Sequence, residues 1–284
     1  MFHTNIRSCR RNFATLQSFL VTSLTYFSII ILTEIWLTHE IDFRFKLDGY
    51  SVFNLFRSSH GGGIKIFVAN NIPAEIDKNK TFINNLFEIL TVTIFLPSCK
   101  IQISGVYRSP HTSIVDFTDS LSENILNNIS SRTKLILCGD FNINIFNPFK
   151  HINVDNFIHT MLGFNFTPFI TKATRYNPEN PLTKYSLIDH VWCNFFPCSA
   201  VSAVILTCIT DHFSILISFK VELDDNFGIV KFRDYSYDNK IRFIDEFNGL
   251  NVEIDDGTSN SLNFSFSNFY NTFFKIYNRC MPIK

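Results

Sequence analysis

The stretch Leu135-Ile136-Leu137-Cys138-Gly139-Asp140-Phe141-Asn142 decides how this chain folds. Four apolar residues bounded by Gly139 predict a short strand that is buried on both faces. Asp140 and Asn142 are two residues apart, so both side chains can project to the same side of the strand's end. An acid there can orient or deprotonate a water, and an amide can donate hydrogen bonds to a phosphate oxygen. An ordinary Asp/Asn turn after a strand has the same pattern, so the motif alone leaves both interpretations open.

Further strands and helices are predicted before and after this stretch. Apolar or alternating runs between turn residues predict strands, and apolar residues at helical spacing predict helices. The predicted strands cover residues 29–32, 50–55, 64–68, 87–95, 101–107, 135–138, 186–192, 203–206 and 213–219, and the predicted helices cover residues 116–129 and 154–162. Hairpin-linked strands mixed with helical excursions predict an α/β fold in which helices flank two packed sheets.

An uncharged segment near the start, residues 13–32, follows Arg7, Arg10 and Arg11 and so resembles a signal anchor. However, Thr, Ser and Gln interrupt the segment, and its first part has the apolar spacing of an amphipathic helix. The run at residues 29–32 is then typical of a buried strand. We therefore predict a helix followed by a core strand, with no membrane association.

The overall composition is that of a folded intracellular protein. Hydrophobic residues make up 46% of the chain and charged residues 18%, which supports a sizeable core and excludes disorder. The 25 Lys and Arg residues balance the 25 Asp and Glu residues, so net charge gives no attraction to nucleic acid or membranes. The seven Cys residues form no C-x-x-C pair, which favours a reducing compartment, nuclear or cytoplasmic.

Two more polar motifs lie at strand ends. Thr210-Asp211-His212 precedes the last strand, where a His beside an acid can stabilise a pentavalent phosphate or protonate a leaving oxygen. Asp189 lies inside an apolar strand, and its burial is costly unless it is paired. His212 is a suitable partner, and Asp189 would hold that imidazole in one tautomer. A capped turn with a hydrogen-bonded His remains the alternative for the tripeptide alone.

The ends of two other strands carry groups that suit a metal and a phosphate. Glu34 follows the strand at 29–32, and a single carboxylate with waters and substrate phosphate is the usual way to hold magnesium. Tyr107 and Arg108 end the strand at 101–107, and both side chains can contact phosphate. A solvent-exposed Glu would give the same local sequence as Glu34.

Taken in chain order, these fragments resemble the endonuclease domain of non-LTR (long-interspersed-type) retrotransposons. These domains are relatives of the apurinic endonucleases in the endonuclease/exonuclease/phosphatase superfamily. Each fragment is short, but their joint occurrence in one order is specific, and the resemblance covers about residues 3–220. The matching stretches are Asn5-Ile6-Arg7-Ser8, Thr33-Glu34-Ile35-Trp36-Leu37, Gly61-Gly62-Gly63-Ile64, Gly105-Val106-Tyr107-Arg108-Ser109-Pro110, Cys138-Gly139-Asp140-Phe141-Asn142, Ser186-Leu187-Ile188-Asp189-His190 and Thr210-Asp211-His212.

The resemblance implies a four-layer α/β/β/α sandwich with two mixed sheets and one dominant Mg²⁺ site, for which Mn²⁺ is a possible substitute. The implied activity is hydrolysis of DNA phosphodiester bonds, which nicks the target for primed reverse transcription. Asp140 would activate the water, while Asn142 and Tyr107 would hold the phosphate. His212, oriented by Asp189, would stabilise the transition state. The implied metal residues are Glu34, Asn5 and Asp211, and the implied substrate-binding residues are Arg108, Thr174, Arg175 and Thr210.

Both ends of the chain depart from the family pattern. Only residues 1–4 precede Asn5, so we expect a clipped first strand that holds Asn5 poorly. Residues 221–284 resemble the linker that precedes a reverse transcriptase, with helices expected at 239–247 and 264–277. No polymerase follows, which suggests a truncated reading frame, and the natural partner of this segment would be a reverse transcriptase domain.

Two alternatives stay open at this point. One keeps the fold and changes the substrate to a phosphoinositide, a sphingolipid or RNA, although the tryptophan-cysteine signature of inositol-phosphate phosphatases is missing. The other is an inactive retrotransposon relic that acts at most as a binding module.

Overall fold

The computed structural model describes residues 1–23, 25–96, 99–130, 132–146, 151–179, 184–195, 198–220, 233–234, 236–250 and 259–282. The chain divides into two compact units, Met1–Asp224 and Asp225–Lys284. Within the described residues, no helix is both long enough and apolar enough to cross a membrane.

The strands and helices follow one another in an order close to the predicted one. The strands are β1 (Phe2–Asn5), β2 (Ile29–Thr33), β3 (Tyr50–Leu55), β4 (Ile64–Ala69), β5 (Ala74–Ile76), β6 (Phe82–Ile83), β7 (Phe87–Phe95), β8 (Lys100–Arg108), β9 (Lys134–Asp140), β10 (Thr167–Pro168), β11 (Arg175–Tyr176), β12 (Tyr185–Ser186), β13 (Asp189–Cys193), β14 (Cys198–Ile205) and β15 (Ser214–Lys220). The α-helices are α1 (Cys9–Thr22), α2 (Ile114–Asn124), α3 (Ile152–Gly163), α4 (Tyr237–Asn248) and α5 (Ser259–Cys280), and 3₁₀ helices cover His39–Arg44, Lys78–Lys80 and Leu126–Asn128.

Two predicted elements are divided in the structure. The helix expected at 116–129 ends at Asn124 because Ile125 leaves the helical region, with φ −120° and ψ −61°, and a 3₁₀ turn follows. The strand expected at 186–192 is split into β12 and β13. Several strands of two or three residues were not predicted, because they are too short to show a period.

Two mixed sheets make up the first unit. The first has the order β14-β15-β1-β2-β4-β3, and the second has the order β10-β13-β9-β8-β7-β5, with β6 also paired to β7. Each sheet contains one parallel pair, β1 with β2 and β8 with β9, and its other pairs are antiparallel. Strands β11 and β12 form a separate two-stranded ribbon.

The apolar side chains sort into three cores, which define four layers. Alternate residues of β2 point to opposite faces, so Ile31 packs between the sheets while Ile30 packs under α1. In β9, Ile136 faces the inter-sheet core while Leu137 faces α2 and α3. This explains the continuous apolar runs of both strands, since both of their faces are covered. The predicted α/β/β/α sandwich is confirmed.

Strand β1 is short but lies in the middle of the first sheet. It pairs in parallel with β2 and antiparallel with β15, and all four of its residues are buried. Asn5 is fully buried at its end. The expectation that Asn5 is poorly held was therefore wrong, because two neighbouring strands fix the backbone of β1.

The second unit pairs its two helices through aromatic rings. Phe243 of α4 lies edge-on to Phe273 and Tyr277 of α5, and Phe247 lies edge-on to Phe273. The aromatic residues of α5 therefore pack, in part, against the neighbouring helix of the same unit. Another face of α5 keeps Phe266, Tyr270 and Phe274 exposed.

Candidate active site

The register of the second sheet places predicted site residues side by side. Tyr107 of β8 is the Cα partner of Asp140 in β9, and Asp189 of β13 is the partner of Asp140 on the other side. Paired residues of neighbouring strands project to the same face. Tyr107 belongs to the inter-sheet core, so this row faces the first sheet. Three residues far apart in the sequence thus line one edge of the space between the sheets.

The first sheet contributes Asn5 and Glu34 to the same place. Asn5 ends β1 and Glu34 follows β2, its parallel neighbour. The Asn5 amide donates from Nδ2 to Oε1 of Glu34 at 2.9 Å and to Oδ2 of Asp140 at 2.8 Å. One amide group therefore joins carboxylates carried by two different sheets.

A turn of glycines holds the backbone around Glu34. Glu34 and Trp36 have φ values of 54° and 53°, an uncommon conformation for residues with a side chain. The Trp36 N–H donates to the Gly62 carbonyl and the Ile35 N–H to the Gly63 carbonyl. The Trp36 indole also donates to Oε2 of Glu34 at 3.2 Å. These bonds fix both the strained backbone and the carboxylate.

Asp189 and His212 form the predicted pair. His212 Nδ1 donates to Oδ2 of Asp189 at 3.0 Å, and both side chains are buried. Burial lowers the pKa of His212, but the charge and hydrogen bond of Asp189 outweigh it and raise that pKa to about 9. Burial likewise raises the pKa of Asp189, but the charge of His212 and its hydrogen bond bring it below the usual value. At neutral pH the pair is an imidazolium and a carboxylate, which leaves Nε2 as a donor.

In contrast to Asp189, Asp140 has a pKa above the usual value. Its oxygens accept hydrogen bonds from Asn5 and from the Asn142 backbone, the latter at 3.0 Å. Burial and the charge of Asp189 raise its pKa to about 7. Burial and the charges of Glu34 and Asp140 also raise the pKa of Tyr107, so that its hydroxyl stays a donor. The site thus combines a carboxylate that can accept a proton with two hydrogen-bond donors.

Several residues predicted to bind substrate instead hold the backbone of the site. Arg108 is 2% exposed, and its guanidinium donates to the carbonyls of Phe141 and Asn142, at 2.7 Å each, and to Thr112. Thr174 is fully buried, and its hydroxyl accepts hydrogen bonds from the N–H groups of Ile188 and Asp189. These contacts leave neither residue free to reach a substrate, which corrects the prediction for both.

Thr210 and Asn142, which were also predicted to contact the substrate, form hydrogen bonds within the chain. The Thr210 hydroxyl donates to the Asn5 carbonyl at 3.0 Å and accepts the His212 N–H at 3.1 Å, so it ties β1 to the loop before β15 instead of facing a substrate. The Asn142 amide donates one hydrogen bond to the Arg108 carbonyl at 2.7 Å and keeps its second N–H. Asn142 can therefore still donate to a phosphate oxygen.

Asp211 does not join the group around Glu34. Its two oxygens each pair with a guanidinium, Oδ1 with Arg7 and Oδ2 with Arg175, at 2.8 Å in both cases. Burial raises the pKa of Asp211, but the charges of His212 and Arg175 outweigh it and keep the pKa below the usual value. Asp211 lies outside the group formed by Asp140, Asp189 and His212, and its role as a metal ligand stays a prediction.

Sequence reasoning missed Glu88, which extends the row of site residues by one strand. Glu88 of β7 is the Cα partner of Tyr107 and is fully buried. It accepts the Gly63 N–H at 2.6 Å and a bond from Arg57 at 3.0 Å, so it anchors the glycine turn that supports Glu34. Its signal was present, since it is the one charged residue within the apolar strand Phe87–Phe95.

His3 was also missed, and it lies near the second oxygen of Asp189 without a hydrogen bond to it. His3 is buried, with Nδ1 3.9 Å from Oδ1 of Asp189 and Nε2 3.2 Å from the Thr33 hydroxyl. Burial lowers its pKa to about 4, so it is neutral at physiological pH. Nothing in the stretch 1–4 indicated that this His would face a carboxylate of the other sheet.

The described residues contain one group of ligand types that could hold a metal ion. Asp140, Asp189 and His212 each offer an atom within 4.8 Å of the others, and all three are buried. Glu34 is joined to Asp140 through Asn5 and extends this group toward the first sheet. Three carboxylates against one imidazolium leave excess negative charge at a buried site, a condition that favours a bound cation.

The model of the endonuclease/exonuclease/phosphatase family matches residues 3–212, a stretch that contains the whole site. The chain belongs to this family. Its fold is that of metal-dependent phosphoesterases and nucleases, and the buried acidic and His groups lie where the two sheets meet. No curated protein sequence matches the chain significantly.

Solved structures share this fold at low sequence identity. The endonuclease domain of TRAS1, a telomere-specific non-LTR retrotransposon, superposes with a TM-score of 0.59 at 15% identity, over 77% of this chain and 96% of that one. The 3′ phosphatase NExo from Neisseria, bound to a product DNA hairpin, gives 0.59 at 14% identity over 78% and 98%. An AP endonuclease from Archaeoglobus fulgidus gives 0.58 at 14% identity over 78% and 98%.

Proposed function

We propose that the protein is a Mg²⁺-dependent endonuclease that nicks DNA by hydrolysing a phosphodiester bond, as in target-primed retrotransposition. The observation that carries the proposal is the convergence of Glu34, Asn5 and Asp140 from two sheets beside the Asp189–His212 pair. The likeness to a retrotransposon endonuclease domain and to a DNA-bound 3′ phosphatase supports DNA as the substrate.

The donor chemistry of the site suits magnesium. Glu34 and Asp140 present carboxylate oxygens, the ligands that Mg²⁺ prefers, and the Asn5 amide donates to both of them. Oδ1 of Asp189 is a buried oxygen without a hydrogen bond. We propose that Glu34 holds the ion, with Asn5 adjoining it. When bound, the ion would supply charge that polarises the phosphate and stabilises the leaving oxygen.

The chain's own side chains have separable roles in this proposal. Asp140 accepts a proton from the attacking water, a role suited to a carboxylate whose pKa is raised to about 7. The His212 imidazolium, held by Asp189, donates from Nε2 to a phosphate oxygen as negative charge develops. Tyr107 and Asn142 donate to the phosphate and orient it.

The test is nicking of supercoiled plasmid with Mg²⁺, repeated in EDTA and with Asp140→Asn and His212→Gln. Each variant should lose about 10²- to 10⁴-fold in rate, the usual contribution of a proton-transfer group. Asp155→Asn and His159→Gln make the same chemical changes in α3, outside the site, and should leave the rate unchanged. Nicking that persists in EDTA or in both site variants would overturn the proposal.

We propose that the second unit contacts a reverse transcriptase domain. The exposed aromatic residues Phe266, Tyr270 and Phe274 recur every fourth residue of α5 and so share one face of that helix. Contiguous exposed aromatic surface is typical of protein-binding sites. Loss of binding to a reverse transcriptase domain in a Phe266→Ser/Phe274→Ser variant would support this assignment, and unchanged binding would reject it.

A further inference from the structure

The Arg7–Asp211–Arg175 group carries more positive than negative charge at the mouth of the site. Each carboxylate oxygen of Asp211 is taken by a different guanidinium at 2.8 Å, so two cations share one anion. The Asp211 carboxylate holds two like charges together that would otherwise repel each other.

The backbone places both arginines directly beside the proposed catalytic residues. The Arg7 N–H donates to Oδ1 of Asn5 at 3.0 Å. Arg7 has a φ of 39° and Ser8 a φ of 86°, so two consecutive residues other than glycine adopt a conformation that is costly unless the surroundings enforce it. On the other side, Arg175 forms a β-bridge with His212. The backbone of Arg7 is thus fixed next to Asn5, and that of Arg175 next to His212.

Both guanidiniums keep donors for a ligand. The Arg7 side chain is 41% exposed and that of Arg175 is 28% exposed. Arg175 donates its Nε–H to Asp211, Arg7 forms an ion pair with Asp211 through one terminal nitrogen, and a guanidinium has five N–H groups. Arg108 differs, because all three of its side-chain nitrogens donate to atoms of the chain. The planar face of a guanidinium matches a phosphate group through two parallel hydrogen bonds.

We propose that Arg7 and Arg175, held in place by Asp211, bind a phosphodiester group of the DNA that is adjacent to the scissile phosphodiester group. The proposal rests on the proposed DNA-cleaving function and assigns Asp211 as a positioning residue. It adds Arg7 to the residues proposed to contact the substrate. It also places the metal at Glu34 and the DNA contact at the two arginines that Asp211 holds.

Binding without cleavage tests the contact directly. The Kd for a labelled DNA duplex is measured by fluorescence anisotropy in EDTA between 50 and 200 mM salt, conditions in which phosphate contacts set the salt slope. Arg7→Gln should weaken binding about tenfold and reduce the slope of log K against log salt by about one. Arg7→Lys should keep the slope. Arg11→Gln, which removes an exposed arginine of α1, should change neither quantity.

Asp211→Asn separates the positioning role from a metal-ligand role. We expect KM for DNA to rise several-fold, while the Mg²⁺ concentration for half-maximal nicking stays that of the wild type. A tenfold or larger rise in that Mg²⁺ concentration would overturn the assignment of Asp211, and an unchanged salt slope for a folded Arg7→Gln variant would overturn the contact. A wild-type protein that neither binds nor nicks DNA would instead overturn the proposed function itself.

Discussion

Burial and pairing shift the pKa values of Asp189 and His212 in opposite directions from those of the unfolded chain. The pKa of an unperturbed His is about 6.5, and in the fold that of His212 is raised to about 9. A group whose pKa rises on folding stabilises the fold below its unfolded pKa. That contribution disappears as the pH rises through the folded pKa. The lowered pKa of Asp189 acts only in acid, where its contribution is lost as the pH falls.

We predict a loss of stability at alkaline pH that depends on His212. Between pH 6 and pH 9.5, the wild type should lose on the order of 3 kcal/mol of unfolding free energy through this pair, measured by urea unfolding in EDTA. His212→Gln should be less stable at pH 6 and should lack this pH-dependent loss. His159→Gln, at an exposed position, serves as the control. An equal loss in both variants would contradict the assigned protonation state.

At the scale of elements, the close approach of β8 and β9 brings Tyr107 beside Asp140. Gly139 lies immediately before Asp140 and has a φ of 156°. A Cβ at Gly139 would overlap the carbonyl oxygen of Val106, the residue before Tyr107 in β8. The glycine that ends the apolar run in the sequence is therefore the residue that lets two strands meet at the site.

We predict that Gly139→Ala destabilises the protein by roughly 2–4 kcal/mol, because the added methyl group forces β8 and β9 apart and strains the backbone. Gly163→Ala is the matched control, since a Cβ at the end of α3 would meet nothing within 4 Å. Urea unfolding of both variants checks the prediction. Similar stability of the two would show that the strands can separate at little cost.

At the scale of the whole molecule, the first unit contains every residue of the site. Glu34 and Asn5 come from the first sheet, and Asp140 and Asp189 come from the second, so the site exists only when the sheets pack face to face. The inter-sheet core that joins them includes Ile31, Ile64 and Ile136. This core and the residues of the site all lie within Met1–Asp224.

A fragment of residues 1–224 should therefore unfold cooperatively and nick plasmid at the rate of the full chain. Circular dichroism during urea unfolding measures the first property, and the plasmid assay with Mg²⁺ measures the second. An active full chain whose fragment is folded but inactive would show that the second unit contributes to the site. This outcome would contradict the division of roles proposed here.

Much of the fold could be predicted from local pattern. The apolar runs of β2 and β9 and the spacing in α2 and α3 indicated their elements, since burial on one or both faces leaves a period in the sequence. Asp189 could be paired with His212 because a carboxylate in an apolar strand needs a partner. The same reasoning applied to Glu88 would have identified it as well.

The roles of the polar residues were harder to predict from the sequence. Arg108, Thr174 and Thr210 look like substrate contacts in their motifs, but in the fold they bond to backbone groups of neighbouring loops. Such partners are brought near by the packing of distant strands, so no local pattern records them. The pairing of Asp211 with Arg7 is of the same kind, because it joins residues at opposite ends of the first unit.

The sequence by itself determined the order of the longer strands along the chain, two packed sheets flanked by helices and the identity of the acids, amides and His that end the strands, because these depend on local apolar period and residue type. Only the tertiary structure decided which of those groups share a site and which support it. Asp140 ends the apolar run Leu135–Cys138, but its role depends on β13 on one side, β8 on the other and the Asn5 amide from the opposite sheet. Charge, burial and hydrogen bonding act over a few ångströms in space, and only the folded chain sets those distances.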